Sequence, residues 1–439
     1  MNDSSDITRL YAQHVASLQS AWEAAMAAED FDAVIVHAGS PIVSFLDDFE
    51  YAFRPNPHFL AWLPLTRHPE SVLIVRPGRK PVLYYHQPDD FWHLSPADPD
   101  PWWADHFEVR VEREPGEWHQ GVPVGREAYL GDAPELAVED DLNPRRLINR
   151  LHLVRSCKTP YEIACLRAAS ATAARCHRAA EGAFRAGYSE YEIHQAYLGA
   201  GSLETADLPY DSIVALNRHG AVLHYQRRDR ARPERSDAFL IDAGATRHAY
   251  CADITRTYTT DEGDFAALIT AMDEVQQGLC DGARADVDYR DLHLRAHRDI
   301  AGVLAAHGII RCDAEAAVEL GLSGVFFPHG LGHYLGLQTH DVAGLIADET
   351  GREIPRPGGH PFLRLTRTLE PGNVLTIEPG LYFIDSLLAQ WRDGPHRDLV
   401  DWNRVERLAP FGGIRIEDDV VVTDGAPENL TRDAFAALD

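Results

Sequence analysis

Apolar positions recur along this chain with two periods. Over residues 6–30, Leu10, Val15, Leu18, Trp22 and Met26 fall on one stripe at helical spacing and predict an amphipathic helix. Asp32-Ala-Val-Ile-Val-His37, Ser71-Val-Leu-Ile-Val75 and Pro81-Val-Leu-Tyr-Tyr85 are short apolar runs that predict strands, with Trp- and Pro-rich loops such as Asp98-Pro-Asp-Pro-Trp-Trp-Ala104 around them. Helical spacing returns in Ile163, Leu166, Ala169 and Ala173. That helix begins at Thr159-Pro160-Tyr161-Glu162, which offers an N-cap threonine, a proline at the first helical position and a glutamate at the third. It runs out near Gly187, and Ser189-Glu-Tyr-Glu192 caps the next one. Strand-like residues follow at 211–225, then a hairpin, helices near 264–284 and 288–307, a Gly/His-rich stretch, and two closing strands, Asn373-Val-Leu-Thr-Ile-Glu378 and Gly413-Ile-Arg-Ile-Glu417.

This alternation predicts an α/β (α+β) protein of two domains, residues 1–157 and 158–439, a division that 439 residues allow. Ile241-Asp242-Ala-Gly244 is echoed by Ile377-Glu378-Pro-Gly380, a hint of related halves in the second domain.

Composition narrows the partners. With 41 basic and 68 acidic residues the formal charge is −27, which disfavours nucleic acid and anionic membrane surfaces and leaves small substrates and divalent cations open. No window approaches the 18 or so apolar residues of a membrane span, and Met1-Asn-Asp-Ser-Ser-Asp carries acids where a signal peptide would be basic, so the cytoplasm is expected. Six cysteines without CxxC spacing predict reduced thiols.

The chemistry centres on the hairpin Ala238-Phe-Leu-Ile-Asp242-Ala-Gly244-Ala-Thr-Arg-His-Ala-Tyr-Cys-Ala-Asp253-Ile-Thr. With Arg247-His248 as its loop, Asp242 faces Asp253 across the strands, with Cβ atoms roughly 4.5–5.5 Å apart. Carboxylates so close repel unless a cation lies between them or one keeps a proton. In Phe326-Phe-Pro-His329-Gly-Leu-Gly-His333-Tyr-Leu-Gly-Leu-Gln-Thr-His340-Asp341, glycines allow close backbone approach and three imidazoles can bind metal or move protons. Glu378 and Glu417 sit in apolar strands where a bare carboxylate is costly. Four carboxylates with an imidazole suit two hard divalent ions such as Mn²⁺ better than a thiol-rich zinc site. Such a pair can hold a hydroxide nucleophile and polarise a carbonyl, and hydrolysis is the natural outcome.

These residues resemble the pita-bread metallopeptidases, and among them the Xaa-Pro dipeptidases (prolidases), including the bacterial type also called organophosphorus acid anhydrolase. The likeness rests on Leu208-Pro-Tyr210-Asp-Ser-Ile-Val, Val222-Leu-His224-Tyr, Ile241-Asp242-Ala-Gly244, Ala252-Asp253-Ile-Thr-Arg-Thr-Tyr258, His329-Gly-Leu-Gly-His333, His340-Asp341, Ile377-Glu378-Pro-Gly and Gly412-Gly-Ile-Arg415-Ile-Glu417-Asp. Phe45-Leu-Asp47-Asp48, Pro55-Asn56-Pro57 and Phe59-Leu-Ala-Trp62-Leu-Pro64 extend it to the first domain.

The resemblance implies an N-terminal α/β domain with a mixed sheet, for dimerisation and cleft capping, and a catalytic domain whose pseudo-twofold halves share a curved, mainly antiparallel sheet. It implies that Asp242 binds one metal ion, Asp253 and Glu417 bridge two, and His333 and Glu378 hold the second. Glu378 would also accept the proton of the attacking water, and His340 and His224 would steady the tetrahedral intermediate or leaving nitrogen. His329 and Arg415 would receive the prolyl carboxylate, Tyr210 would line the pocket, and Asp48 would reach a neighbouring subunit's substrate amine in a homodimer. Small dipeptides are the expected substrates, with organophosphate triester hydrolysis as a side reaction of the same site.

Two alternatives share this fold. Xaa-Pro aminopeptidases have the same five ligands, but the long interval Val342–Gly372 favours the dipeptidase arrangement. Pita-bread proteins that only bind would have broken ligands, and here all five are present.

Overall fold

The computed structural model describes residues 3–121, 125–132 and 141–438. The chain divides into two compact units: Met1–Cys165 with His248–Tyr250 and Ile346–Arg352, and Leu166–Arg247 with Cys251–Leu345 and Glu353–Asp439.

The first unit opens with α1 (Asp3–Glu29), whose Tyr11, Val15, Leu18, Trp22 and Met26 are buried. Its sheet takes β1 (Ala33–His37), β2 (Val72–Val75), β3 (Val82–His86), β4 (Glu108–Glu112) and β5 (Glu127–Leu130) in the order β4-β3-β2-β1-β5. The sheet is mixed, with β1–β2 and β2–β3 antiparallel and β1–β5 and β3–β4 parallel. Ile35, Val72, Ile74, Val82, Tyr84, Trp118 and Tyr129 form one buried cluster on it. Two short helices, α2 (Pro57–Leu60) and α3 (Pro101–Ala104), each begin at an Asx cap followed by proline. The second occupies what the Trp/Pro-rich composition suggested was loop. α4 (Arg145–Ser156) was not expected, although Leu147, Leu151 and Val154 fall at helical spacing, and Arg146 and Arg150 pair with Glu29 of α1.

From Pro160 onward the chain repeats one plan. α5 (Pro160–Arg185) and α6 (Glu190–Gly201), the latter with the expected Ser189–Glu192 capping box, precede β6 (Ile213–Leu216), β7 (Ala238–Asp242), the hairpin tip β8 (Thr246–Arg247) and β9 (Tyr250–Cys251), and β10 (Thr255–Thr259). A second helix pair, α7 (Asp264–Gly282) and α8 (Tyr289–Ala306), precedes β11 (Val374–Ile377), β12 (Gly380–Tyr382), β13 (Gly413–Arg415), β14 (Asp418–Val421) and β15 (Glu428–Asn429). All strand pairs here are antiparallel. They form short sheets, β10-β7-β6, β11-β14-β15 and β12-β13; a single bridge joins Thr255 of β10 to Glu417, and another joins Tyr334 of the Gly/His-rich stretch to Leu375 of β11. Leu268, Met272 and Leu279 of α7 and Leu292, Ala296 and Ile300 of α8 pack with Leu375, Ile377, Ile414 and Ile416 in one extensive apolar cluster. The strand expected over 211–225 is only β6, because the chain turns into a 3-10 segment at Asn217–Ala221.

Candidate metal centre

The hairpin forms, but two residues out of the expected register. Asp242 pairs with Thr255, not Asp253, and the loop is His248-Ala249, with φ of 50° and 72°, not Arg247-His248. Positive φ at both loop positions matches the right-handed twist of the flanking strands. The corrected register places Asp253 opposite Gly244, so the two acids are diagonal neighbours on one face. Gly244 is obligatory at that crossing, since a Cβ there would lie 2.0 Å from the Ala252 carbonyl. What brings the acids together is Tyr210, whose hydroxyl is 2.7 Å from Asp242 Oδ1 and 2.6 Å from Asp253 Oδ1. A phenol has one hydrogen and can donate to only one carboxylate at a time.

The Gly/His-rich stretch runs against β11. His333 and Thr376 bond through their backbones, and Glu378 N donates to the Leu331 carbonyl at 2.8 Å. This approach needs Gly332, because a Cβ there would sit 2.1 Å from the Thr376 carbonyl oxygen. His333 Nε2 thereby lies 3.4 Å from Asp253 Oδ2 and 3.6 Å from Glu378 Oε1. Its Nδ1 is 2.9 Å from the Tyr334 carbonyl, which can only accept, so Nδ1 carries the proton and the Nε2 lone pair faces the acids.

Glu417 lies between β13 and β14, a break in the single strand expected over 413–417, and its backbone NH donates to the Thr255 carbonyl at 3.0 Å. Thr255 Oγ1 donates to Glu417 Oε2 at 2.6 Å. Arg415 holds Asp242 Oδ2 at 2.7 Å, the Tyr382 hydroxyl at 2.9 Å and Thr255 Oγ1 at 3.2 Å. Behind the hairpin, the buried Asp419 carboxylate accepts from Asp253 N and from Ser170 Oγ, and Asp418 accepts from Arg256 and Arg432. Thr255, Tyr382, Asp418 and Asp419 were not singled out from the sequence, because a partner that touches a site residue from another strand leaves no local pattern.

Electrostatics mark the cluster as cation-seeking. Burial pushes Asp242 up against the pull of Arg415, and burial with Asp253 and Glu378 pushes Glu417 far up. Glu378 is raised to about 7, chiefly by burial. Burial also opposes charge on Asp253, but His333 and Tyr210 outweigh it and leave it below the usual range. His333 moves the opposite way, because Asp253 and Glu378 overcome its burial. Asp253, His333 and Glu417 present one donor atom each within 4.8 Å of one another, all buried. Hard oxygens plus one correctly tautomerised imidazole fit divalent cations.

Of the other expected residues, His329 Nδ1 is 2.8 Å from the Gly330 carbonyl, its Nε2 is 2.9 Å from the Tyr382 hydroxyl, and burial lowers it to about 3. The His340 ring stands edge-on to His333 at 4.3 Å and is lowered to about 4 by burial and by His333. His224 is exposed, close enough for its charge to be felt by both. Asp48 is exposed in the first unit, its backbone NH on Asp47. The six cysteines are free thiols, and among the described residues no helix is long and apolar enough to cross a membrane.

Residues 164–424 match the model of metallopeptidase family M24, and residues 9–153 match the Xaa-Pro dipeptidase N-terminal domain. The chain is 48% identical over 433 residues to the Xaa-Pro dipeptidase of Stenotrophomonas maltophilia (strain K279a), and 49% identical over 432 residues to that of Xanthomonas campestris pv. campestris (strain B100). Both alignments cover 98% of each chain. Among solved structures it resembles Escherichia coli aminopeptidase P with the inhibitor Pro-Leu, with a TM-score of 0.70, 24% identity and coverage of 96% of this chain and 95% of that one. Pseudomonas aeruginosa aminopeptidase PepP gives 0.69 at 24% identity, covering 98% of each. The solved structures speak for the pita-bread fold alone, whereas family model and curated relatives agree over almost the whole length: the chain belongs to metallopeptidase family M24, in its Xaa-Pro dipeptidase branch.

Proposed function

We propose that this chain hydrolyses Xaa-Pro dipeptides at a centre of two divalent cations, with Mn²⁺ best suited to the oxygen-rich ligand set. The carrying observation is the convergence of Asp253, His333 and Glu417 donors within 4.8 Å, with Asp242 and Glu378 beside them. Asp242 would hold one ion, His333 and Glu378 the other, and Asp253 and Glu417 both. When bound, the ions supply a Lewis acid and an activated water.

The chain's own groups do the rest. Glu378 would take the proton of the attacking water on a carboxylate oxygen and return it to the prolyl nitrogen as the bond breaks. His340 and His224 would donate to the tetrahedral oxygen or the leaving nitrogen. Arg415 would offer a charged donor to the substrate carboxylate, and His329, whose Nδ1–H is on the Gly330 carbonyl and whose Nε2 accepts from the Tyr382 hydroxyl, would join it by exchanging the Gly330 bond for the carboxylate. An imide nitrogen has no hydrogen, so a pocket shaped for proline leaves no donor unpaired, a mismatch that otherwise costs about 1–3 kcal/mol.

A homodimer is part of this reading. The first unit exposes Phe45, Leu46, Phe49, Phe91, Trp92 and Leu94, with Leu94 at 98%, an apolar surface that a second copy would cover. Asp48, beside Leu46, would then act on the partner's substrate amine. The test compares kcat/KM for Ala-Pro, Ala-Pro-Ala and Ala-Ala with Mn²⁺-loaded enzyme. Ala-Pro is expected to be strongly preferred. Cleavage of Ala-Pro-Ala at its Ala-Pro bond as fast as Ala-Pro would replace the dipeptidase by an aminopeptidase.

A further inference from the structure

We propose that His293, His297 and His360 form a separate site for one transition-metal cation of the Zn²⁺ class. His293 and His297 stand one helical turn apart on α8, the i, i+4 spacing that puts two imidazoles on one face. His360 comes from the turn Pro357-Gly358-Gly359-His360, closed by a bond from His360 N to the Pro357 carbonyl. One donor atom from each of the three lies within 4.8 Å of the others.

The hydrogen bonding leaves donors over. His297 Nδ1 is 3.0 Å from Ser323 Oγ, while its Nε2 is buried and has no partner. His293 Nδ1, the ring nitrogen that does not face His360, is also unpartnered and would carry the proton while Nε2 serves as ligand. His293 Nε2 faces His360 Nδ1 at 2.9 Å, so one of two lone-pair nitrogens must spend a proton on the other. A cation seated among them would accept both lone pairs and that of His297. Nitrogens of a tetrahedral zinc site are about 3.3 Å apart, which small ring rotations would reach. The hydroxyl of Ser323 already orients His297 as the outer partner of a metal-bound imidazole does.

A second cluster, Glu190, His219 and Asp229, makes a useful contrast. There Glu190 accepts from Leu216 N, His219 Nδ1, the Tyr225 hydroxyl and Asp229 N, so its oxygens are satisfied. The histidine cluster has no such closure. Burial also holds His293 at about 2 and His297 at about 3, so both stay neutral and protons do not compete for their lone pairs. Three imidazoles without a carboxylate favour Zn²⁺, Ni²⁺ or Cu²⁺ over Mn²⁺, so the two centres would select different metals. Phe327 packs tilted against His297 and edge-on to His329, each at 4.8 Å, so the cation would also brace the segment beside His329.

The test uses full-length protein stripped with chelator, dialysed against Zn²⁺, desalted and assayed by elemental mass spectrometry. Wild type should hold one Zn²⁺ more per chain than His360→Ala and His297→Gln. The Asp253→Asn, Glu417→Gln double variant, disabled at the acidic centre, should keep one Zn²⁺ whose X-ray absorption spectrum fits a shell with three imidazole nitrogens. Equal zinc in wild type and both histidine variants, or a shell made of carboxylate oxygen in the double variant, would overturn the site. The spectrum does not depend on whether a histidine variant folds.

Discussion

Glu378 couples the stability of the metal-free protein to pH in a direction opposite to that of most carboxylates. Its side chain is 18% exposed, and burial raises it from 4.5 to about 7, with Asp253 and Asp242 adding to the rise and His333 and Arg415 opposing it. An acid raised in the folded state binds more protons folded than unfolded. Stability is therefore undiminished below about pH 4.5, falls as pH rises toward 7, and is level above. The shift converts to about 3 kcal/mol. Glu378→Gln cannot ionise but leaves other groups in place, so the difference between wild type and variant isolates this carboxylate. Urea unfolding of both chelator-treated proteins, followed by near-UV circular dichroism from pH 4.5 to 8, should show wild type losing about 3 kcal/mol relative to the variant. Added Mn²⁺ should restore wild type and help the variant less, because the ion takes the place of the proton on Glu378. Parallel stability profiles for the two proteins across that range would refute the reasoning.

Tyr210→Phe removes the hydroxyl shared by Asp242 and Asp253 and should lower kcat/KM for Ala-Pro about 10- to 100-fold, the worth of a charge-assisted hydrogen bond of about 1.5–3 kcal/mol. Unchanged kcat/KM would take the phenol out of the site's organisation. Gly332→Ala drives a methyl to 2.1 Å from the Thr376 carbonyl, so the segment carrying His333 must move by about 1 Å, for which a loss of about 100-fold in kcat/KM is expected. The check is steady-state kinetics with metal content measured alongside, and wild-type values for both would mean that the close approach is dispensable.

The site's composition was legible because its acids break the apolar pattern of the strands that carry them, and Asp242 and Glu378 do so in matching tetrapeptides. Helices were legible where capping chemistry is local, as at Ser189–Glu192. The hairpin register was not, because its left-handed loop uses His248 and Ala249 where glycine or asparagine would have announced the turn. β4, Glu108-Val-Arg-Val-Glu112, alternates charged and apolar residues and could have been read as an edge strand. Asp419 and Thr255 could not have been assigned: their meaning comes from strands far apart in sequence that meet at Asp253 and Glu417.

The charge balance links the two halves of the catalytic unit to the proposed substrate. Asp242 ends β7 and Glu378 follows β11, each after a pair of helices, so the repeated plan delivers acids to one place from two directions. Asp242, Asp253, Glu378 and Glu417 together with Arg415 leave three negative charges when His333 is neutral. Two divalent ions would turn that into one positive charge in a site of low dielectric, where an unbalanced charge is costly. A substrate carboxylate placed beside Arg415 returns the balance to zero. A dipeptide ending in proline puts its carboxylate one residue from the scissile bond, whereas a longer peptide carries it away from Arg415 and leaves the charge unmatched. On this reading, selection for dipeptides begins in the electrostatics of the metal centre, before any steric wall acts.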